Sequence, residues 1–98
     1  MVLNNYSHVH KKIRFLCIYL ETATGLKLQT DLSSDFSSID FMNELSYLRI
    51  YWNKSIYVTL NCKLSKEQAS AVESIITYLD WLETGLSITK VVKRRPLK

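Results

Sequence analysis

The chain contains only two glycines and one proline among its 98 residues. Few residues of these two kinds mean few forced turns, so we expect long regular elements, short connections and no flexible linker. The length fits one small domain spanning residues 1–98. No stretch approaches 18 consecutive apolar residues, so no membrane-spanning segment is expected. Hydrophobic residues make up 47% of the chain, which is enough for one core.

Cysteine is also scarce, since the chain has only Cys17 and Cys62. A secreted domain of this size usually has four or more cysteines, so we expect two reduced thiols in or near the core. The first twelve residues, "MVLNNYSHVHKK", lack the basic start, apolar run and small-residue cleavage site of a secretory signal. The sequence therefore predicts a cytoplasmic protein.

Acidic residues are absent from the last nine positions, "KVVKRRPLK", which contain five cations. Residues 1–89 contain eight Lys and Arg against nine Asp and Glu, so the net charge of +4 comes from a basic tail, residues 90–98. Such a block can contact phosphates or an acidic protein surface, or have no specific role. The candidate binding cations are Lys90, Lys93, Arg94, Arg95 and Lys98.

The clearest periodicity predicts a helix at 65–85. Ser65 is a good N-cap, Gln68 completes a capping box, and Gly85 is placed to end the helix. One stripe at helical spacing consists of Val72, Ile75, Ile76, Leu79 and Leu82.

Strict alternation in "LRIYW" and "SIYVTLNCKL" predicts two paired strands. A two-residue turn between them would put Arg49 on the apolar face. A three-residue turn, 53–55, sets Ile56 opposite Trp52, Val58 opposite Ile50 and Leu60 opposite Leu48. Because matching of faces fixes register, we favour the longer turn.

Three further segments are less distinct. Apolar residues three apart from Phe36 predict a short helix at 36–46, and "LSITKVV" at 86–92 predicts a short edge strand. Residues 8–24 are ambiguous. As a helix they have a stripe through Ile13, Leu16, Cys17 and Leu20, with Gly25 placed to end it. As a strand they are rich in β-formers and apolar on both faces, like a central strand, and we favour this alternative.

The combined elements predict an α+β fold in which a small antiparallel sheet has two helices on one face. The order is that of a ferredoxin-like split β-α-β fold with an extra N-terminal strand or helix, and strands 12–20 and 55–64 are central. Seven of the nine acids then lie on or beside the helices, so we expect an acidic helical side and a basic sheet side.

An aromatic surface follows from this fold. Phe15, Tyr19 and Tyr57 would share the open sheet face, with Lys63 nearby. Rings flanked by cations can stack on nucleic-acid bases, but exposed aromatics also form protein interfaces, including a homodimer through this face. Tyr78 and Trp81, on one flank of the second helix, are a further candidate anchor for a partner, although we favour their packing against the end of the sheet.

No local signature of an active site, metal site or cofactor loop is present, so we expect no catalytic residue, metal or cofactor. The favoured hypothesis is a small non-enzymatic protein-binding module: an adaptor, inhibitor or regulator. Its partner would be a protein, and a component of the nucleic-acid-processing machinery is one candidate. Small proteins of this kind are common in phages and mobile elements. The first alternative is direct nucleic-acid binding through the basic tail and the open sheet face. The second is a nuclease using Glu21, at the end of the proposed first strand.

Overall fold

A computed structural model describes residues 2–32, 36–82 and 91–94, with side chains for residues 8–32 and 36–82. Its elements are α1 (Val2–Thr24), β1 (Lys27–Leu28), β2 (Ser38–Met42), β3 (Tyr47–Asn53), β4 (Ser55–Leu60), α2 (Lys66–Leu82) and β5 (Val91–Arg94). The strands form one sheet in chain order, with β1 to β4 antiparallel and β5 parallel to β4. The prediction of an α+β protein with an antiparallel sheet and two helices is confirmed.

Both helices pack on the same face of the sheet and share one core with it. Val9, Ile13, Cys17 and Leu20 are buried along α1, because their three- and four-residue spacing puts them on one stripe. The stripe of α2 and the inward residues of β2 to β4 complete the core: Ala71, Val72, Ile75, Ile76, Leu79, Ile39, Phe41, Leu48, Ile50, Trp52, Ile56 and Val58. No helix in the described part of the chain is long and apolar enough to cross a bilayer.

The prediction that residues 12–20 form a strand is wrong, because they lie within α1. Gly25 ends this helix in the left-handed conformation, with φ of +78°, and its N–H donates to the Glu21 carbonyl at 3.1 Å. The ferredoxin-like order is not confirmed. In that order a strand comes first and a helix separates it from the next strand, whereas here α1 precedes all strands.

The predicted helix at 36–46 is also wrong, because its centre is strand β2. Ile39 and Phe41 alternate into the core, and β2 pairs with β3 along its length and with β1 at Phe41 and Met42. The turn after β2 is fixed by Asn43, whose Oδ1 accepts the N–H groups of Leu45 and Ser46 at 2.9 and 2.8 Å. Tertiary pairing thus outweighs a three-residue apolar spacing that resembles a helix.

The predicted β3–β4 hairpin is confirmed residue by residue. Trp52 pairs with Ile56, Ile50 with Val58, and Leu48 with Leu60. Lys54 alone connects the final pair, Asn53 and Ser55, and has a left-handed φ of 76°.

The predicted capping box of α2 is confirmed as well. Gln68 N–H donates to Ser65 Oγ at 3.1 Å, and Ser65 N–H donates to Gln68 Oε1 at 2.9 Å. Gln68 Nε2 also donates to the Ala23 carbonyl at 3.1 Å, which joins the start of α2 to the end of α1. Gly85 lies outside the described residues.

An edge strand is present near the C-terminus, as predicted, and it begins at Val91. Residues 86–90 of the predicted strand lie outside the described residues. So do Lys90, Arg95 and Lys98 of the basic tail. The backbones of Lys93 and Arg94 belong to β5, level with Val58 and Thr59 of β4.

Two candidate binding surfaces

The aromatic residues predicted to share one surface lie on two opposite sides of the protein. Tyr57 is on the open face of the sheet, whereas Phe15 and Tyr19 are on the outer side of α1, beyond the helix layer. Lys63 is exposed in the connection between β4 and α2. The prediction of a single platform is therefore wrong, because it depended on residues 12–20 being a strand.

The first candidate surface, called here the sheet surface, consists of outward side chains from the three central strands. These are Asp40 and Met42 from β2, Tyr47, Arg49 and Tyr51 from β3, and Tyr57 and Thr59 from β4. Strand alternation places them there, because their neighbours in sequence point into the core. Six of them, without Tyr57, line a shallow groove of about 470 Å³.

Two tyrosines form the aromatic centre of the sheet surface. Tyr51 and Tyr57 are register partners on β3 and β4, and their rings stack with centroids 5.1 Å apart and planes 25° apart. Both side chains are half-buried, so the pair is held against the sheet with one side open to solvent. Rigid rings of this kind present a large contact area at little entropic cost on binding.

The positive and the negative side chain of the sheet surface form an ion pair with each other. Arg49 Nε lies 2.8 Å from Asp40 Oδ1, and the two residues are register partners on β3 and β2. The hydroxyl of Ser38 also donates to Asp40, at 3.5 Å to Oδ2. The guanidinium thus faces a carboxylate, which reduces its attraction for a phosphate.

The second candidate surface, called here the helix surface, is formed by exposed apolar side chains on α1 and α2. Phe15 is 74% exposed, Ile18 49%, Tyr19 41% and Trp81 56%. Phe15, Ile18 and Tyr19 are three and four residues apart, so they form a second stripe on α1, away from its buried stripe. Trp81 packs edge-on against Tyr78 on α2, with ring centroids 5.3 Å apart.

The expected division into an acidic helical side and a basic sheet side is not observed. Lys11, Lys12 and Arg14 are exposed on α1, and Asp40 belongs to the sheet. Acids dominate α2 alone, where Glu67, Glu73 and Asp80 accompany one cation, Lys66. The charge difference therefore lies between the two helices.

Both cysteines are free thiols in or beside the core, as expected. Burial, with a smaller contribution from Glu21, raises the pKa of Cys17 to about 12. Cys62 is less buried, and its pKa is raised by burial, while a backbone hydrogen bond lowers it. Neither thiol has the depressed pKa of a nucleophilic cysteine.

Glu21, the acid considered for a nuclease, has a structural partner. Its Oε2 accepts the N–H of Leu28 at 2.7 Å and so holds β1 against the end of α1. Among the residues whose side chains are described, no three His, Cys, Asp or Glu come together as metal ligands would.

Several residues of both surfaces were missed from the sequence. Tyr47, Arg49 and Tyr51 alternate with the core residues of β3, so the hairpin register already implied a shared outer face. The predicted helix at 36–46 does not place Asp40 beside Arg49, because that contact requires two paired strands. A strand at 12–20 would turn Ile18 toward the helices, so that prediction conceals its exposure on α1.

No family model, curated protein or solved structure matches this chain.

Proposed function

We propose that the protein is a small non-enzymatic protein-binding module, an adaptor, inhibitor or regulator, that holds its partner on the sheet surface. The observation that carries this proposal is the stacked Tyr51–Tyr57 pair on a sheet face that no described helix covers. Tyrosine, methionine and arginine are enriched in protein interfaces, and this surface contains all three types. The central rings would be the anchor and the polar side chains around them the rim.

The Arg49–Asp40 pair supports a protein partner over a nucleic acid. A surface that binds single strands by stacking needs cations available to the phosphates between the bases. On the three central strands the cation of the sheet surface is Arg49, and a carboxylate 2.8 Å away already offsets its charge. Lys27, the register partner of Met42, is exposed on the same face at the β1 edge, two strands away from Tyr51. A protein partner needs no excess of positive charge and can use the guanidinium and the carboxylate as hydrogen-bonding groups.

Direct nucleic-acid binding is the second candidate, and the position of β5 favours it. This strand brings the backbones of Lys93 and Arg94 next to β4, level with Val58 and Thr59. Two residues of the basic tail therefore lie beside the sheet surface, where their charge could reach a phosphate backbone. In this alternative the affinity depends on the tail cations more than on the tyrosines.

The test of the main proposal is capture of a partner from cells that express the protein, with and without nuclease treatment. We expect one protein to be retained in stoichiometric amount by the wild type, and lost with Tyr51→Ala or Tyr57→Ala. Phe15→Ser is the matched control, because it removes an exposed ring from the opposite side. Loss of a hot-spot ring typically costs about 2 kcal/mol or more, which is roughly thirtyfold in affinity. The proposal is contradicted if nuclease treatment abolishes capture of the partner, or if capture is unchanged in both tyrosine variants.

The test of the second candidate is binding of labelled single-stranded RNA and duplex DNA at two salt concentrations. Five phosphate contacts to duplex DNA predict a log–log slope of roughly −4.5 between about 50 and 200 mM salt. Lys93→Gln with Arg94→Gln should weaken binding, whereas the matched pair Lys11→Gln with Lys12→Gln should not. Absence of binding by the wild type at low salt eliminates this candidate.

A further inference from the structure

The helix surface is a set of exposed apolar side chains on α1 and α2 that nothing in the described chain covers. Four of the six large exposed hydrophobic side chains in that part of the chain lie on the helices: Phe15, Ile18, Tyr19 and Trp81. They project from two helices that are packed on a common core, so their positions are fixed. Grouped apolar exposure on rigid elements indicates an interaction surface.

The two helices that form this surface have opposite charge. On α1 the cations Lys11, Lys12 and Arg14 are exposed. The single acid of α1, Glu21, is half-buried and bonded to the Leu28 N–H. On α2 the acids Glu67, Glu73 and Asp80 outnumber Lys66.

The direction of the helices sets which charges lie level with each other. Gln68, near the start of α2, bonds to Ala23, near the end of α1, and the helices pack together, so they run in opposite directions. Lys11 lies twelve residues before Ala23, and Asp80 lies twelve residues after Gln68. Because both helices rise equally per residue, the cations of α1 and the acid near the end of α2 lie at one level.

We infer that the helix surface binds a second copy of the same chain. A two-fold axis parallel to the helices would place α1 of each copy on α2 of the other and keep every residue at its own level. The cations Lys11 and Lys12 of one copy would then meet the acidic end of α2 in its partner. Phe15, Ile18 and Tyr19 would form the apolar centre of the interface, and Trp81 would lie near the level of Lys11.

Other occupants match only part of this surface. An anionic membrane or a nucleic acid would be attracted by α1 and repelled by the acids of α2. An acidic peptide would complement α1 alone. A second copy complements both helices at once, because each copy supplies the charge that the other lacks.

This inference is independent of the proposed partner on the sheet surface. Self-association through the helices leaves the sheet surface of each copy facing outward, on opposite sides of the dimer. It also differs from the homodimer through the sheet face predicted from the sequence, so the two arrangements can be distinguished by mutation.

The first experiment is sedimentation equilibrium of the full chain from micromolar to submillimolar concentration. We expect a monomer–dimer equilibrium whose dissociation constant rises at least tenfold with Phe15→Ser and is unchanged with Tyr57→Ser. Phe15 is 74% exposed, so the first substitution should leave the fold intact, which circular dichroism checks. A wild type that stays monomeric, or a dimer that survives Phe15→Ser and dissociates with Tyr57→Ser, overturns the inference.

A charge exchange tests the arrangement of the helices. One variant has Lys11→Glu and Lys12→Glu, and the other has Asp80→Lys, which changes the acid at their level. Each variant alone places like charges on both helices, so we expect both to be monomeric and folded. Mixed together, they should form a heterodimer, because every contact between α1 and α2 is again of opposite sign. A mixture that remains monomeric overturns the pairing of α1 with α2.

Discussion

Arg49 Nε donates to Asp40 Oδ1 across the β2–β3 pair at 2.8 Å, in the middle of the open sheet face. The Arg49 side chain is 54% exposed and that of Asp40 21% exposed. Exposed pairs of this kind contribute little stability, on the order of 0–1 kcal/mol. The main effect of the pair is on the electrostatic potential of the surface, which it keeps near neutral.

Removing the Asp40 charge should therefore change binding more than stability. We expect Asp40→Asn to change the free energy of unfolding by less than about 1 kcal/mol in urea. The same change should strengthen salt-sensitive retention on heparin, because Arg49 loses its partner. Glu44→Gln is the matched control, since it removes one exposed acid from the neighbouring turn without touching Arg49. Equal retention of the two variants would show that only net charge matters.

The capping box of α2 gives a second prediction. Ser65→Ala removes the oxygen that accepts the Gln68 N–H, and it should lower the free energy of unfolding by about 1 kcal/mol. Ser70→Ala is the control, because Ser70 is exposed within the same helix and alanine is favoured there. Urea unfolding of both variants measures the difference. If Ser70→Ala is as destabilising as Ser65→Ala, the cap has no special role.

Lys54 has a φ of 76°, a conformation that costs an L-residue roughly 1–2 kcal/mol. Glycine at this position relieves the strain but has more freedom in the unfolded chain, at a cost of roughly 0.5–1 kcal/mol. We expect Lys54→Gly to raise the free energy of unfolding by about 0.5 kcal/mol, and Lys54→Val to lower it by about 1 kcal/mol.

Lys63→Gly is the control for this pair, because Lys63 is exposed and does not have a positive φ. It should lower the thermal midpoint slightly. If glycine lowers the midpoint equally at both positions, the hairpin is not strained at Lys54.

Thiol chemistry should separate the two cysteines. The pKa of Cys17 is raised from 9.0 to about 12, so the folded protein holds this proton where the unfolded chain releases it. The stability from the buried thiol is complete below pH 9.0 and is lost as the pH rises toward about 12.

Labelling with Ellman's reagent tests the burial of each thiol. At a pH just below 9.0, the Cys62→Ser variant retains Cys17 alone, and we expect this thiol to react only when the protein unfolds. The Cys17→Ala variant retains Cys62, which should react faster because it is less buried. Equal labelling rates of Cys17 and Cys62 would contradict the assigned burial.

Local rules predicted the second half of the fold well. The β3–β4 register followed from matching apolar faces, and the N-terminus of α2 from the pairing of Ser65 with Gln68. In both cases the deciding residues lie within a few positions of each other. Short-range geometry then leaves one solution, and tertiary contacts agree with it.

The first half failed for a reason that concerns the candidate surfaces. Residues 12–20 are apolar on both sides, which is typical of a central strand. In the structure the second apolar side is the exposed stripe through Phe15 and Ile18, so its hydrophobicity does not report burial. The error and the helix surface have the same origin. At 36–46 the pairing of Asp40 with Arg49 was the missing information, and it is a contact between strands.

The order of the elements along the chain also affects synthesis. On the ribosome α1 emerges before α2, whereas its buried stripe packs against both the sheet and α2. At about 5–20 residues per second, the segment from Gly25 to Leu82 takes roughly 3–12 s. During that interval Ile13 and Cys17 on one side of α1 lack the cover that α2 provides, while Phe15 and Ile18 on the other side are exposed. The nascent chain is therefore most prone to aggregation, and most in need of a chaperone, before its second helix is translated.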